Sequence, residues 1–127
     1  MGAKRILLIE DNAVNRRLAQ FLLKSQGYEV WEVTNASEAF DSLKERQPDL
    51  ILMDIQLPGM DGLTATRHLK ADPATQDIPV LAVTSYAMNG DEAKALEAGC
   101  SGYVTKPIDK RVFLEAVAKA LTERKAP

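Results

Sequence analysis

A chain of 127 residues, 46% hydrophobic and 27% charged, is the size of about one domain and can bury roughly two-thirds of its unfolded surface. With 16 basic against 18 acidic residues the formal charge is -2, and no basic run exceeds pairs such as Lys4-Arg5 and Arg16-Arg17, which excludes the clustered basic face that nucleic-acid binding needs. Met1 to Arg5 lead straight into a short apolar segment, so no signal peptide or membrane span is read, and the single cysteine, Cys100, cannot close an internal disulfide; both features fit a reducing cytoplasm.

The elements follow in strict alternation. Residues 5–10 read as a buried strand. Residues 13–26 carry Val14, Leu18, Phe21 and Leu22 at helical spacing until Gly27 stops the helix. A second strand spans 29–33, after which Asn35 and Glu38 form a capping pair for a helix over Ala39, Phe40 and Leu43 that Gln47-Pro48 ends. The third strand is 49–53. A loop with Pro58, Gly59 and Gly62 leads to a helix over 63–71, whose mixture of Leu63, Leu69, Thr64, Thr66 and Arg67 leaves its inner face undefined. Residues 79–84 form strand four and 91–98 a short helix closed by Gly99. Strand five is 102–105, and the last helix, 109–124, takes Asp109 as cap with Val112, Phe113, Ala116, Val117, Ala120 and Leu121 facing inward.

Alternating βα units require a parallel sheet with right-handed crossovers and helices on both faces, and the unbroken runs LLI, LILM and VLAV suit strands buried on both sides. The fold class is therefore α/β, a doubly wound (βα)5 three-layer sandwich. Periodicity does not fix the strand order, but the flavodoxin-like order 2-1-3-4-5 sets strands one and three at the switch point, where such sheets bind ligands. Four strands end on polar residues of three chemical kinds: Glu10-Asp11, Asp54, Thr84 and Lys106. Gathered in one crevice, three carboxylates, a hydroxyl and an ammonium suit phosphoryl chemistry on a carboxylate.

The segments LLIEDN, DLILMDIQLPGMDG, VLAVTSYA and YVTKPI, in this order and spacing across the chain, resemble the signature blocks of the receiver domain of bacterial two-component response regulators. The MDIQLPGMDG and AVTSYAMNGDE stretches are further similar to stand-alone regulators of the DivK type. The resemblance implies a single receiver domain over 1–127 that is not an enzyme in the ordinary sense. Asp54 would be the phosphoacceptor, attacking the phosphohistidine of a partner kinase. Asp11, Asp54 and the backbone carbonyl of Gln56 would coordinate Mg²⁺ or Mn²⁺, with Glu10, where many receivers have Asp, acting through water. Lys106 would hold the phosphoryl group as a point charge and Thr84 would bond it by moving. Tyr103 would turn inward in response. Ser85 meets a preference for a small residue above the site, Tyr86 and Gln56 would flank the attacking water, and Pro107 would follow a cis peptide.

Other residues have plain readings: His68 as a solvated surface group, Cys100 as a buried small hydrophobe, Trp31 as edge-strand packing, and Met88 with Asn89 to Asp91 as an adaptable loop. A flavin module would want a hydroxyl- and glycine-rich loop where Glu10-Asp11-Asn12 stands. A haloacid-dehalogenase-type phosphatase would place two aspartates one apart after its first strand, which this chain lacks. A receiver that only binds a partner usually loses a site residue. The expected function is thus a single-domain response regulator fed by a histidine kinase or a histidine phosphotransfer protein. Its signal would leave through the face of helix four, strand five and helix five, around Tyr86, Met88, Tyr103 and Lys110, to a protein partner. The protein would be a monomer or a weak phosphorylation-dependent dimer. An excised receiver of a longer hybrid kinase would read the same way.

Overall fold

The structure, a computed structural model, describes residues 2–85 and 91–122. Strands β1 (Arg5–Ile9), β2 (Glu29–Val33), β3 (Leu50–Asp54), β4 (Val80–Thr84) and β5 (Gly102–Thr105) alternate with helices α1 (Ala13–Ser25), α2 (Ala36–Glu45), α3 (Gly62–Ala71), α4 (Asp91–Ala98) and α5 (Lys110–Leu121). All neighbouring strands pair in parallel, in the order β2-β1-β3-β4-β5. The order reverses between β1 and β3, so the switch point lies where the two acidic strand ends meet.

Period-two alternation along the strands sends neighbouring side chains to opposite layers. Leu7, Ile9, Ile51, Met53, Val80 and Ala82 pack with α2, α3 and α4, while Ile6, Leu8, Leu50, Leu52 and Leu81 pack with α1 and α5 around Phe113 and Val117. Every residue of β3 and β4 is buried, which is why those strands read as unbroken apolar runs. Tyr103 stands half-buried on the α4 side of the sheet.

Two helix faces differ from expectation. In α1 the core takes Ala19, Leu22 and Leu23, whereas Val14 and Phe21 are 73% and 70% exposed and Leu18 is 40% exposed. Residues of a helix advance by about 100° each, so burying 19, 22 and 23 turns 14, 18 and 21 toward solvent. In α5, Phe113, Val117 and Ala120 set the inward direction and Val112 is 55% exposed, because position 112 points about 100° away from that direction. The undefined face of α3 proves to be Gly62, Ala65, Thr66 and Leu69. Thr66 is fully buried without penalty, its hydroxyl donating to the carbonyl of Gly62 at 2.8 Å.

The plain readings of isolated residues also have structural counterparts. Trp31 is half-buried on the edge strand, with its indole N–H donating to Ser42 and the Arg46 guanidinium stacked 3.9 Å from its ring centroid. His68 is exposed, edge-on to Phe40. Cys100 is buried, and that burial pushes its thiol pKa up. The expectations for Tyr86, Met88 and Asn89 fall outside the described residues.

Candidate functional site

Sheet register brings the polar strand ends together. Ile9 is paired with Met53 across β1 and β3, so Glu10 and Asp54 each stand one residue further along, side by side. Asp54 in turn faces Val83 on β4 and Thr84 faces Thr105 on β5. The amide of Lys106 donates to the carbonyl of Thr84 at 2.7 Å, which returns the lysine to the crevice. The following Lys106–Pro107 peptide is cis.

The Lys106 ammonium lies 2.7 Å from Glu10 Oε1 and 3.2 Å from Asp54 Oδ2. The second oxygen of each carboxylate is also engaged: Glu10 Oε2 accepts from the amide of Asn12 at 3.1 Å, and Asp54 Oδ1 from the amide of Gln56 at 3.0 Å. Glu10, Asp54 and Thr84 are buried while Asp11 is exposed at the rim. Burial, then the neighbouring Glu10, push the pKa of Asp54 up to about 7, since loss of water and a like charge both disfavour ionisation. Burial works against the Lys106 ammonium as well, but its bonds to Glu10 and Asp54 more than offset that and hold its pKa above the ordinary value.

One oxygen from each of Glu10, Asp11 and Asp54 can be drawn from a set lying within 4.8 Å of one another. Three hard oxygen donors with one ammonium between them leave an excess of negative charge, a donor set that fits Mg²⁺ or Mn²⁺ rather than a soft metal. Glu10 and Asp54 each already spend both oxygens on Lys106 and a backbone amide, so an ion in the crevice would share those oxygens or reach them through water.

Several supports were not legible in the sequence. Arg16 Nη1 donates to the carbonyls of Glu10 and Asp11, both at 2.9 Å, and its Nε lies 3.6 Å from Glu32; it clamps the acidic corner from the first turns of α1. Its only signal was a cation one turn past the helix start. Asn12 caps α1 by accepting from the amide of Asn15, and Asp61 caps α3 by accepting from Thr64. Gly62 is required by contact: a Cβ there would collide with the carbonyl oxygen of Asp54 and lie 2.8 Å from the Ile55 Cα. Its amide instead donates to the Ile55 carbonyl at 2.8 Å. Thus the P-G-M-D-G stretch is a loop whose last glycine lets α3 start against the backbone of Asp54.

The predicted residues Glu10, Asp11, Asp54, Gln56, Thr84 and Lys106 therefore lie in one crevice at the carboxyl edge of the sheet. Tyr103 stands two residues before the turn of β5 into that crevice, and Ser85 is exposed beside Thr84. Among the described residues no helix is long and apolar enough to cross a membrane.

Comparison with known proteins agrees with this geometry. The family described as response regulator receiver domain matches residues 6–118. The polar-differentiation response regulator DivK of Brucella anthropi is 44% identical over 118 residues, covering 93% of this chain and 96% of that protein. Among solved structures, the receiver domain of a signal transduction histidine kinase from Syntrophus aciditrophicus superposes with a TM-score of 0.89 at 33% identity, covering 98% of this chain and 95% of that one. The receiver domain of a sensor histidine kinase from Pseudomonas aeruginosa, determined with a magnesium ion coordinated in its active site cleft, gives 0.86 at 34% identity, covering 95% of this chain and 99% of that one. With strand order, crevice and signature segments in agreement, the chain belongs to the response regulator receiver domain family.

Proposed function

We propose that this receiver takes a phosphoryl group from the phosphohistidine of a histidine kinase or a histidine phosphotransfer protein onto Asp54. A carboxylate oxygen of Asp54 bonds to phosphorus as the phosphorus–nitrogen bond breaks, and the histidine leaves with the electron pair and is protonated. The observation that carries this reading is the Lys106 ammonium bridging Glu10 and Asp54 beside Asp11. It supplies a fixed positive charge where the equatorial phosphoryl oxygens gain charge. Asp11, Asp54 and the carbonyl of Gln56 would hold Mg²⁺ or Mn²⁺, with Glu10 acting through water. The ion, when bound, neutralises the carboxylate excess that otherwise repels an anionic donor.

The roles of the remaining residues follow. Thr84 bonds the new phosphoryl oxygens, and Tyr103 turns into the space vacated, altering the face of α4, β5 and α5 that a downstream protein reads. The donor seats on α1. Its outward stripe of Val14, Leu18 and Phe21 begins one turn from Asp11, and an apolar patch at the rim of a reaction crevice is where a helical phosphohistidine carrier gains contact area while its imidazole reaches Asp54. The protein acts in the cytoplasm as a one-domain regulator, monomeric or weakly dimeric when phosphorylated.

The test is intact-mass analysis after incubation with acetyl phosphate. One Mg²⁺-dependent phosphoryl addition is expected, abolished by EDTA and by Asp54→Asn; a full addition in that variant refutes the assignment.

A further inference from the structure

Gln56 stands two residues after Asp54, and its side chain crosses the crevice to β4. Its Nε2 donates to the Thr84 hydroxyl oxygen at 3.2 Å and its Oε1 accepts from the Ser85 amide at 3.4 Å. Its own amide is the group that bonds Asp54 Oδ1. One residue thus touches the proposed acceptor through its backbone and the proposed switch hydroxyl through its side chain. We propose that the Gln56 carboxamide is a positioning residue that sets the polarity of the Thr84 hydroxyl for the group carried on Asp54. The proposal rests on the reading of Asp54 as phosphoacceptor.

The orientation of the carboxamide follows from chemistry. A backbone N–H can only donate, so the end of Gln56 facing Ser85 is its oxygen. The end facing Thr84 is then the NH₂, and Thr84 is the acceptor in that bond. A hydroxyl has one proton and two lone pairs. The bond from Gln56 takes one lone pair and directs the hydroxyl proton away from the carboxamide, and phosphoryl oxygens, being pure acceptors, can bond the hydroxyl only through that proton. Thr84 is 1% exposed, and away from water the direction of a hydroxyl dipole counts for more. The same two bonds tie the loop after β3 to the end of β4, so a shift of Thr84 toward Asp54 is guided by the segment that carries the acceptor.

A double-mutant cycle on the full chain distinguishes positioning from mere packing. The readout is apparent affinity for beryllofluoride in saturating Mg²⁺, followed by fluorine NMR. Gln56→Met keeps the length of the side chain and removes both polar ends, and Thr84→Val keeps the shape and removes the hydroxyl. Gln56→Met is expected to weaken binding about fivefold, the equivalent of one ordinary hydrogen bond. In the Thr84→Val background the same change should have no further effect, whereas in the Thr84→Ser background, which retains a hydroxyl, the fivefold loss should return. An equal loss with and without the Thr84 hydroxyl, or no loss in the otherwise native chain, overturns the proposal. Gln56→Leu repeats the deletion should Gln56→Met not fold. Native protein that binds no beryllofluoride at Asp54 overturns the acceptor reading itself, and the positioning role with it.

Discussion

Lys106 shows how far a single residue depends on neighbours remote in sequence. Its ammonium is the only cation within ion-pair distance of Glu10 and Asp54 among the described residues. Both carboxylates are about nineteen-twentieths or more buried by side chain. Replacing it by Met leaves two buried like charges with their backbone donors alone. Removing one partner of a buried ionic group is costly because the charge left behind is uncompensated, although at lower pH protonation of Asp54 relieves it. Lys106→Met should therefore lose about 1–3 kcal/mol of stability in EDTA at pH 8 and recover part of it in Mg²⁺; denaturant titrations with and without the ion measure both. The types of the site residues were readable because each ends an apolar run. Arg16 and the side chain of Gln56 were not readable as partners, since carbonyl clamping and a crevice-spanning carboxamide depend on where loops bring backbone atoms, and no period in the sequence records that.

Strands were more legible than helices, and the reason is geometric. A central parallel strand is buried on both faces, so β3 and β4 needed only their uninterrupted composition. A helix must be given a rotation, and α1 offers two apolar stripes: Ala19, Leu22 and Leu23 inward, and Val14, Leu18 and Phe21 outward. The sequence reading took Val14, Leu18 and Phe21 together with Leu22, and of these only Leu22 lies on the stripe that the sheet accepts. That outward stripe supports a test at the scale of the element. Phe21→Ser removes exposed surface only, so stability should change by no more than about 0.5 kcal/mol. Transfer from a phosphohistidine donor should slow relative to uptake from acetyl phosphate, and an unchanged ratio would place the donor elsewhere. The loop into α3 carries the opposite kind of constraint. Gly62→Ala must displace either the Asp54 carbonyl or the start of α3, at a cost of about 1–3 kcal/mol, and should slow phosphoryl uptake because Asp54 moves with its backbone.

At the scale of the whole molecule the crevice works against the fold that builds it. Asp54, with an ordinary value of 3.8 raised to about 7 by burial and by Glu10, retains its proton in the folded state over a range where the unfolded chain has lost it. The folded state binds more protons between those values, so stability falls as pH rises from about 4 to 7. The shift corresponds to about 4 kcal/mol at most, and water at the open rim reduces this to about 1–2 kcal/mol. Lys106 does not obscure the window. Its raised value means its contribution is present throughout and is lost only as pH climbs past that value. Asp61, lowered chiefly by the Thr64 amide, is likewise constant above its unfolded value and loses its contribution only as pH falls through the lowered one. In EDTA the melting temperature should therefore decline from pH 5 to pH 8, and Asp54→Asn, which has no proton to lose at that position, should remove most of the decline. An ion that binds only the folded, ionised crevice stabilises by mass action, so excess Mg²⁺ should flatten or invert the profile for the native chain and leave the Asn variant nearly unaffected. A melting temperature in EDTA that does not vary with pH would mean that Asp54 ionises as freely as in solvent, and the electrostatic strain assigned to the crevice would be absent.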